Sequence, residues 1–318
     1  MRPFFIVTMA LYGFSINGFA QEYFDLLNDD NYKCEWDNAM PETSNLKLIK
    51  PTDYNELLTI FDTITNHRNI EYDYAPGGCQ HRAHIMSLLL NTYHIEHSKV
   101  WLFAPVDLYV DKSDVLYITD TYELSNKKTI EWNYHVAPIV LTENKTHGKL
   151  DTLVFDPTIE KARPLDIKEW FEKIGNSHIS KYTFINPNQY FFYVKQGADN
   201  KNLSTVINGC FYEYDGYTKD NFTIEKGLAL NDIAMMVYKK HIKPLQKESI
   251  QSDKLKALKW IIGNTKILDL IFAKEKPISH RKILAAIDIN KDIIEETKVA
   301  FEERLLFWKE EIEKLTTP

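Results

Sequence analysis

Gly77-Gly78-Cys79-Gln80-His81-Arg82-Ala83-His84 joins a turn to a helix. Upstream, Asp73-Tyr74-Ala75-Pro76 interrupts any regular element, since Pro76 fixes its own φ and the two glycines free the backbone. Downstream, Ala83, Met86, Leu89, Leu90 and Tyr93 recur at helical spacing. This predicts a helix over 80–93 with Cys79 at its N-terminus. There the unpaired backbone N–H groups and the positive end of the helix dipole favour a thiolate. The same N–H groups can hold the oxyanion of a tetrahedral intermediate, and the glycines allow close approach of a substrate. Taken alone, a cysteine after two glycines reads more readily as buried packing.

On the N-terminal side, Thr52 or Asp53 caps a predicted helix to about Asn66, with Leu57, Leu58, Ile60, Phe61 and Ile64 as its apolar stripe. On the C-terminal side the texture turns to strand. Val100–Phe103, Val115–Ile118, Trp132–Leu141 and Thr152–Phe155 are β-branched and aromatic runs between polar turns. Leu165–Ile174 reads as a short helix and Tyr182–Val194 as further strand. Beyond Asp220 the strands give way to helical runs over 224–247, 253–274 and 289–315, broken by Pro244 and Pro277. The last carries Ile294, Phe301, Leu305, Trp308, Ile312 and Leu315 on one face, as in a small helical bundle. The expected fold class is α+β: a helix-borne cysteine packed on an antiparallel sheet, followed by an all-α region. The expected division is a signal peptide at 1–20, a catalytic domain at 21–218 and a helical C-terminal domain at 219–318.

The 318 residues are 44% apolar, enough for a substantial core, and only 11 Gly and 12 Pro exclude collagen-like and wholly disordered readings. A net charge of −7 argues against nucleic acid as a partner. The charge is uneven: residues 21–218 hold 18 basic and 29 acidic side chains, residues 219–318 hold 19 and 16. The asymmetry suggests a helical unit that caps the active-site side or docks a partner. Arg2 followed by the uncharged, mostly apolar run to Phe19, with Gly18-Phe19-Ala20 before Gln21, reads as a secretory signal. Secretion or periplasmic location is therefore expected, without stable membrane insertion after cleavage. Residues 21–50 are polar and irregular, as in an N-terminal arm or a small pro-like segment. Three cysteines in an oxidising compartment leave one unpaired; the simplest arithmetic pairs Cys34 with Cys210 and frees Cys79, while three inert thiols remain the alternative.

Two further residues complete a constellation. His135 lies in Trp132-Asn133-Tyr134-His135-Val136-Ala137-Pro138, among apolar strand residues. A thiolate needs such an imidazole, to hold the ion pair and to protonate a leaving amine. Asp156 ends Leu153-Val154-Phe155 and precedes Pro157. A carboxylate there needs a partner if buried, and orienting an imidazole is one use for it. Singly, a core histidine and an Asp-Pro turn are the plainer readings. In the order Cys, His, Asp, the three suit a papain-like or transglutaminase-like arrangement.

The chain resembles the secreted bacterial protein-glutaminases, or protein-glutamine deamidases. The resemblance is carried by Gly78–His84, by Trp132–Pro138 and by Leu153-Val154-Phe155-Asp156-Pro157-Thr158, with a weaker echo from Pro164-Leu165-Asp166 to Trp170. It covers about Leu46 to Trp170. It implies a papain/transglutaminase-like core in which Cys79 is the nucleophile, His135 the general base and acid, and Asp156 the orienting carboxylate. It places Gly78, Gln80, Trp132 and Tyr134 on the substrate side. The implied substrates are proteins or peptides bearing exposed glutamine, converted to glutamate and ammonia through a thioester without metal or cofactor.

A cysteine protease or transglutaminase would use the same three residues, and a non-catalytic secreted binding protein would use none of them. His84, about 140° around the helix from Cys79, and Arg82 read as structural or substrate-side residues. His94-Ile95-Glu96-His97 lacks metal-ligand spacing and reads as a solvated loop.

Overall fold

A computed structural model describes residues 46–317 apart from 68, 109–111, 126, 145–148, 196–207, 214–222, 248–251 and 274–277. The expected signal segment and Cys34 lie outside the described residues. Helix α1 (Tyr54–Thr65) begins where the Asp53 carboxylate accepts the N–H groups of Asn55 and Glu56. It buries Leu57, Ile60, Phe61 and Ile64, the expected stripe, with Leu58 half-buried. Helix α2 (Cys79–Thr92) starts at the cysteine itself. It is buried almost all round, including His81, Arg82, His84 and Ser87, so it runs through the interior rather than along the surface.

Strands β1 (Ser98–Phe103), β4 (Tyr134–Asn144), β5 (Lys149–Val154), β6 (Leu165–Asp166) and β7 (Lys181–Ile185) form one antiparallel sheet in the order β6-β5-β4-β1-β7. The short helix α3 (Pro105–Leu108) follows β1. Strands β2 (Leu116–Thr119) and β3 (Thr129–Trp132) make a separate pair. The run expected as one strand from Trp132 to Leu141 is therefore two. The chain bends at Asn133, whose carbonyl accepts the Ala104 N–H, and passes from pairing with β2 to pairing with β1. Helix α4 (Ile167–Lys173) is capped by the Asp166 side chain, and Tyr182–Val194 divides into β7 and β8 (Gln189–Lys195). Strand β8 pairs with β9 (Asn208–Glu213), which carries Cys210.

The helical region opens with α5 (Ile224–Val237), continues through a π turn at Tyr238–Ile242 into α6 (Lys243–Lys247), and does not break at Pro244. Proline has no N–H to donate and crowds the carbonyl four residues back, and the wider turn just upstream accommodates both. The expected 253–274 helix is two, α7 (Asp253–Ile262) and α8 (Thr265–Phe272), because Asn264 caps a new start by accepting the Ile267 N–H. Helices α9 (Arg281–Ile289) and α10 (Lys291–Thr316) follow. No helix among the described residues is long and apolar enough to cross a membrane.

Besides the small cluster around Cys79, two larger apolar clusters lie against the sheet. One gathers Val100, Leu102, Ala137, Ile139, Val154, Leu165 and Trp170. The other starts in α1 and α2, takes in Val140, Leu153 and Phe155, and continues without interruption into α5, α7, α8, α9 and α10. The terminal helices thus share their core with the helix that carries Cys79. In α10, Phe301 and Trp308 are 3% and 1% exposed, and Trp308 Nε1 donates to Asp232 on α5 at 2.7 Å. Truncating either ring should cost about 3–5 kcal/mol. Because the core is continuous, thermal unfolding of the Phe301→Ala variant should show one transition, shifted down alike in near- and far-ultraviolet circular dichroism. Two separated transitions would contradict a shared core.

Candidate active site

Gly78 is the residue before α2 and has φ 75°, a left-handed conformation that a side-chain-bearing residue adopts only with strain. It turns the chain so that Cys79 opens the helix. The cysteine is 7% exposed and packs with Ala83, Trp101, Phe103, Leu108 and Val136, with the half-buried Tyr134 beside them. Its Sγ lies 3.5 Å from Gln80 Oε1. The Gln80 amide also lies 3.2 Å from His81 Nε2, and His81 Nδ1 is 2.6 Å from the Tyr190 hydroxyl. Burial pushes the His81 pKa down to about 3, with the Arg82 charge acting in the same direction, so this ring stays neutral.

His135 is the second residue of β4, opposite Leu102 of β1. Its ring is stacked on Trp132 at 4.4 Å between centroids and on Trp170 at 5.6 Å from its centroid. Nε2 bonds to Asp156 Oδ2 at 2.7 Å. That carboxylate sits just past the end of β5 and is fully engaged: Oδ2 also accepts Trp170 Nε1–H at 2.8 Å, and Oδ1 accepts the Thr158 N–H at 3.2 Å. Nδ1 finds no acceptor in strict bonding geometry among the described residues, and it is the ring nitrogen left to face Cys79. Burial disfavours a charged ring, but Asp156 and the Cys79 thiol together outweigh it and push the His135 pKa up to about 9. Burial likewise works against the Asp156 carboxylate, yet His135, the Trp170 N–H and Arg82 hold it below the usual carboxylate range.

The structure therefore joins His135 directly to Asp156 and sets Cys79 near enough to act on the same ring. Trp132 is 6% exposed, stacks on His135 and donates its indole N–H to Ala75 O at 2.8 Å. That contact ties the nucleophile loop to the imidazole. Arg82 is the residue whose place the sequence left open. It is 2% exposed and bonds through Nη1 to Tyr74 O at 2.9 Å and Gly77 O at 2.8 Å. It thereby closes the loop before the cysteine and brings a positive charge within electrostatic reach of both Cys79 and Asp156. A buried arginine three residues past the cysteine was the signal available for it. Trp170 appeared in the sequence only as the end of a weak echo; its bond to Asp156 has no local pattern.

His84 faces away from this pair and meets the buried Lys99 Nζ at 2.9 Å. Its pKa is driven well below the ordinary value by burial and by Lys99. The 94–97 segment is an irregular loop with His94 and Glu96 exposed, as expected, but Ile95 and His97 turn inward, His97 being 7% exposed with Nδ1 2.9 Å from Ile95 O. A cavity of about 290 Å³ adjoins the nucleophile loop, lined by Asp73, Ala75, Pro76, Asp120, Tyr122 and Thr158 among others, and touches none of the three candidate catalytic residues.

A helix-borne cysteine over an antiparallel sheet, with a histidine–aspartate pair on and beyond neighbouring strands, is the arrangement expected from the sequence. Residues 57–174 match the model of a protein family described as glutaminase. Among solved structures, the chain is similar to the NMR structure of protein-glutaminase from Chryseobacterium proteolyticum, at 17% identity and TM-score 0.39, covering 59% of this chain and 89% of that one. It is also similar to the crystal structure of pro-protein-glutaminase, at 18% identity and TM-score 0.41, covering 63% of each chain. No curated protein matches the chain.

The His135–Asp156 pair has a direct readout. In an NMR titration His135 should lose its proton near pH 9, and Asp156→Asn should bring that midpoint down toward or below the ordinary value of about 6.5. A histidine raised on folding stabilises fully below its unfolded pKa. The contribution of this pair should therefore be complete below about pH 6.5 and fade as pH rises through about 9. A midpoint unmoved by Asp156→Asn would contradict the assignment.

Proposed function

We propose that the chain is a cysteine-dependent deamidase that hydrolyses the side-chain carboxamide of glutamine in proteins or peptides to glutamate and ammonia. The observation that carries this reading is the buried His135–Asp156 bond of 2.7 Å beside a cysteine that opens a helix after a left-handed glycine. The glutaminase match over 57–174 supports the choice of glutamine.

In this mechanism the Cys79 thiolate attacks the carboxamide carbon and the C=O electron pair moves to oxygen. The Cys79, Gln80 and His81 N–H groups precede the first intrahelical bond, Arg82 N–H to Gly78 O, and so are the donors suited to the oxyanion. The His135 imidazolium gives its proton to the departing nitrogen, which leaves as ammonia, and a thioester remains on Cys79. His135, now neutral, takes a proton from water as the water oxygen bonds to the acyl carbon. The second tetrahedral species expels the thiolate, leaving glutamate and the starting ion pair. Asp156 stays ionised throughout and fixes the ring so that Nδ1 serves Cys79. Trp132 and Trp170 hold the ring from its faces, and Gly78, Gln80 and Tyr134 border the nucleophile.

The same reading makes the enzyme a secreted or periplasmic one, on the strength of the apolar run after Arg2. Expression with residues 1–20 present, followed by N-terminal sequencing of the exported protein, tests that; an intact N-terminus retained inside the cell would contradict it.

For activity, the protein and its Cys79→Ala variant should be incubated with an unfolded glutamine-rich protein, following ammonia and the intact mass of the substrate together. The expected result is ammonia release with a mass gain of about 1 Da per site from exchange of NH2 for OH, abolished in the variant. Cut chains would indicate a protease, cross-links a transglutaminase. Since protonated His135 must deliver the proton to nitrogen, kcat/KM should fall as pH rises through about 9, and Asp156→Asn should move that limb downward.

A further inference from the structure

The back of the nucleophile loop is built by helices that lie outside residues 57–174. Asn231 of α5 sets its carboxamide against Gly78: a Cβ there would lie 2.5 Å from Asn231 Nδ2 and 2.6 Å from Oδ1. One residue earlier, a Cβ on Gly77 would lie 2.3 Å from the methyl of Thr265 in α8. The Tyr74 hydroxyl donates to Ile262 O at the end of α7, at 2.6 Å. Gly227 leaves room on α5 for the His81 ring, whose Nε2 would stand 2.1 Å from any Cβ added there. The loop is thus held on one side by Arg82 and on the other by α5, α7 and α8.

Asn231 differs from the other supports in its chemistry. It is 3% exposed, and its Nδ2 has no hydrogen-bond acceptor among the described residues. An amide donor buried without a partner is unfavourable, and a leucine or alanine would pack a helix interface without that cost. Its place beside the residue before the nucleophile gives the carboxamide a use that packing alone does not.

We propose that Asn231 is a positioning residue of the nucleophile loop, its carboxamide holding Gly78 in the left-handed conformation that aims Cys79 and the first N–H groups of α2 at the substrate carboxamide. It acts through Gly78 and touches no substrate atom. The inference rests on the deamidase reading for its consequence in turnover, but its effect on the cysteine can be read without turnover. It also gives the helical region a role behind the nucleophile, in place of the cap or docking module that charge asymmetry suggested.

The test compares full-length Asn231→Ala and Asn231→Asp with the unaltered protein. The measurements are the rate and pH dependence of Cys79 alkylation by iodoacetamide, kcat and KM on a short glutamine peptide, and Tm. Alkylation and kcat should fall about ten- to a hundredfold in both variants, as expected for a misplaced reacting group. KM should stay within about twofold, and Tm should change by a few degrees at most. Asn231→Asp, which keeps the shape but puts a carboxylate beside the loop, should also move the alkylation profile to higher pH, because that charge opposes the thiolate. If Asn231→Asp does not fold, Asn231→Ala, which buries no charge, carries the comparison. Unaltered alkylation in the variants would overturn the proposal, as would loss of activity that merely tracks a collapsed Tm. Absence of ammonia from the unaltered protein would count against the deamidase reading, while the alkylation comparison would still decide the role of Asn231.

Discussion

The hydrogen bond from His135 to Asp156 is the constraint around which the site is arranged. A buried imidazole and a buried carboxylate are each unfavourable alone, and the 2.7 Å contact makes each acceptable to the other. The carboxylate needs more than one donor, and the Trp170 indole and the Thr158 N–H supply the rest. Trp170 comes from α4, whose start is fixed by the Asp166 cap, so a helix boundary ends up determining the state of a carboxylate. The ring in turn is sandwiched between Trp132 and Trp170, which leaves Nδ1 as its only nitrogen free to serve a nucleophile. The geometry thus specifies the position of Cys79 as much as it specifies the charge on His135.

What could be read from the sequence and what could not divide along a physical line. The start of α2 was legible because Pro76, Gly77 and Gly78 act locally on the backbone, and the stripe of α1 because burial repeats with the turn of the helix. The bend at Asn133 was not, since it depends on a distant segment: Ala104, just past β1, donates to its carbonyl from 29 residues away in sequence. The break at Asn264 lay inside an apolar pattern that continues on both sides, and only its side-chain cap marks it. In the site, Cys79 and Asp156 stood out because they sit at element ends, and His135 because it interrupts an apolar strand. Trp132 was expected on the substrate side; its ring lies on His135, a relation that strand register decides. Arg82 and His84 were visible as polar residues on an apolar helix, but their partners, the loop carbonyls and Lys99, come from tertiary packing.

The helical region changes meaning once the core is traced. Charge asymmetry alone suggested a separate unit, yet the apolar cluster runs from α1 and α2 into α10 without a seam. Residues that touch the nucleophile loop, Asn231 and Thr265 among them, come from beyond the segment that matches the glutaminase family. A loop built between two parts of one core is held from both sides, which suits the proposed attack by Cys79, where a small displacement of the sulfur would be costly.

The central claim is that Cys79 carries the acyl group of glutamine between ammonia release and hydrolysis. The most direct measurement is the intact mass of the enzyme, acid-quenched in the first turnover with a short glutamine peptide, with the modified residue located by fragmentation. The account predicts a transient adduct on Cys79 of the peptide less one ammonia, accumulating as ammonia appears and absent from Cys79→Ala. Ammonia released with no adduct on Cys79, or with the adduct on another residue, would contradict it.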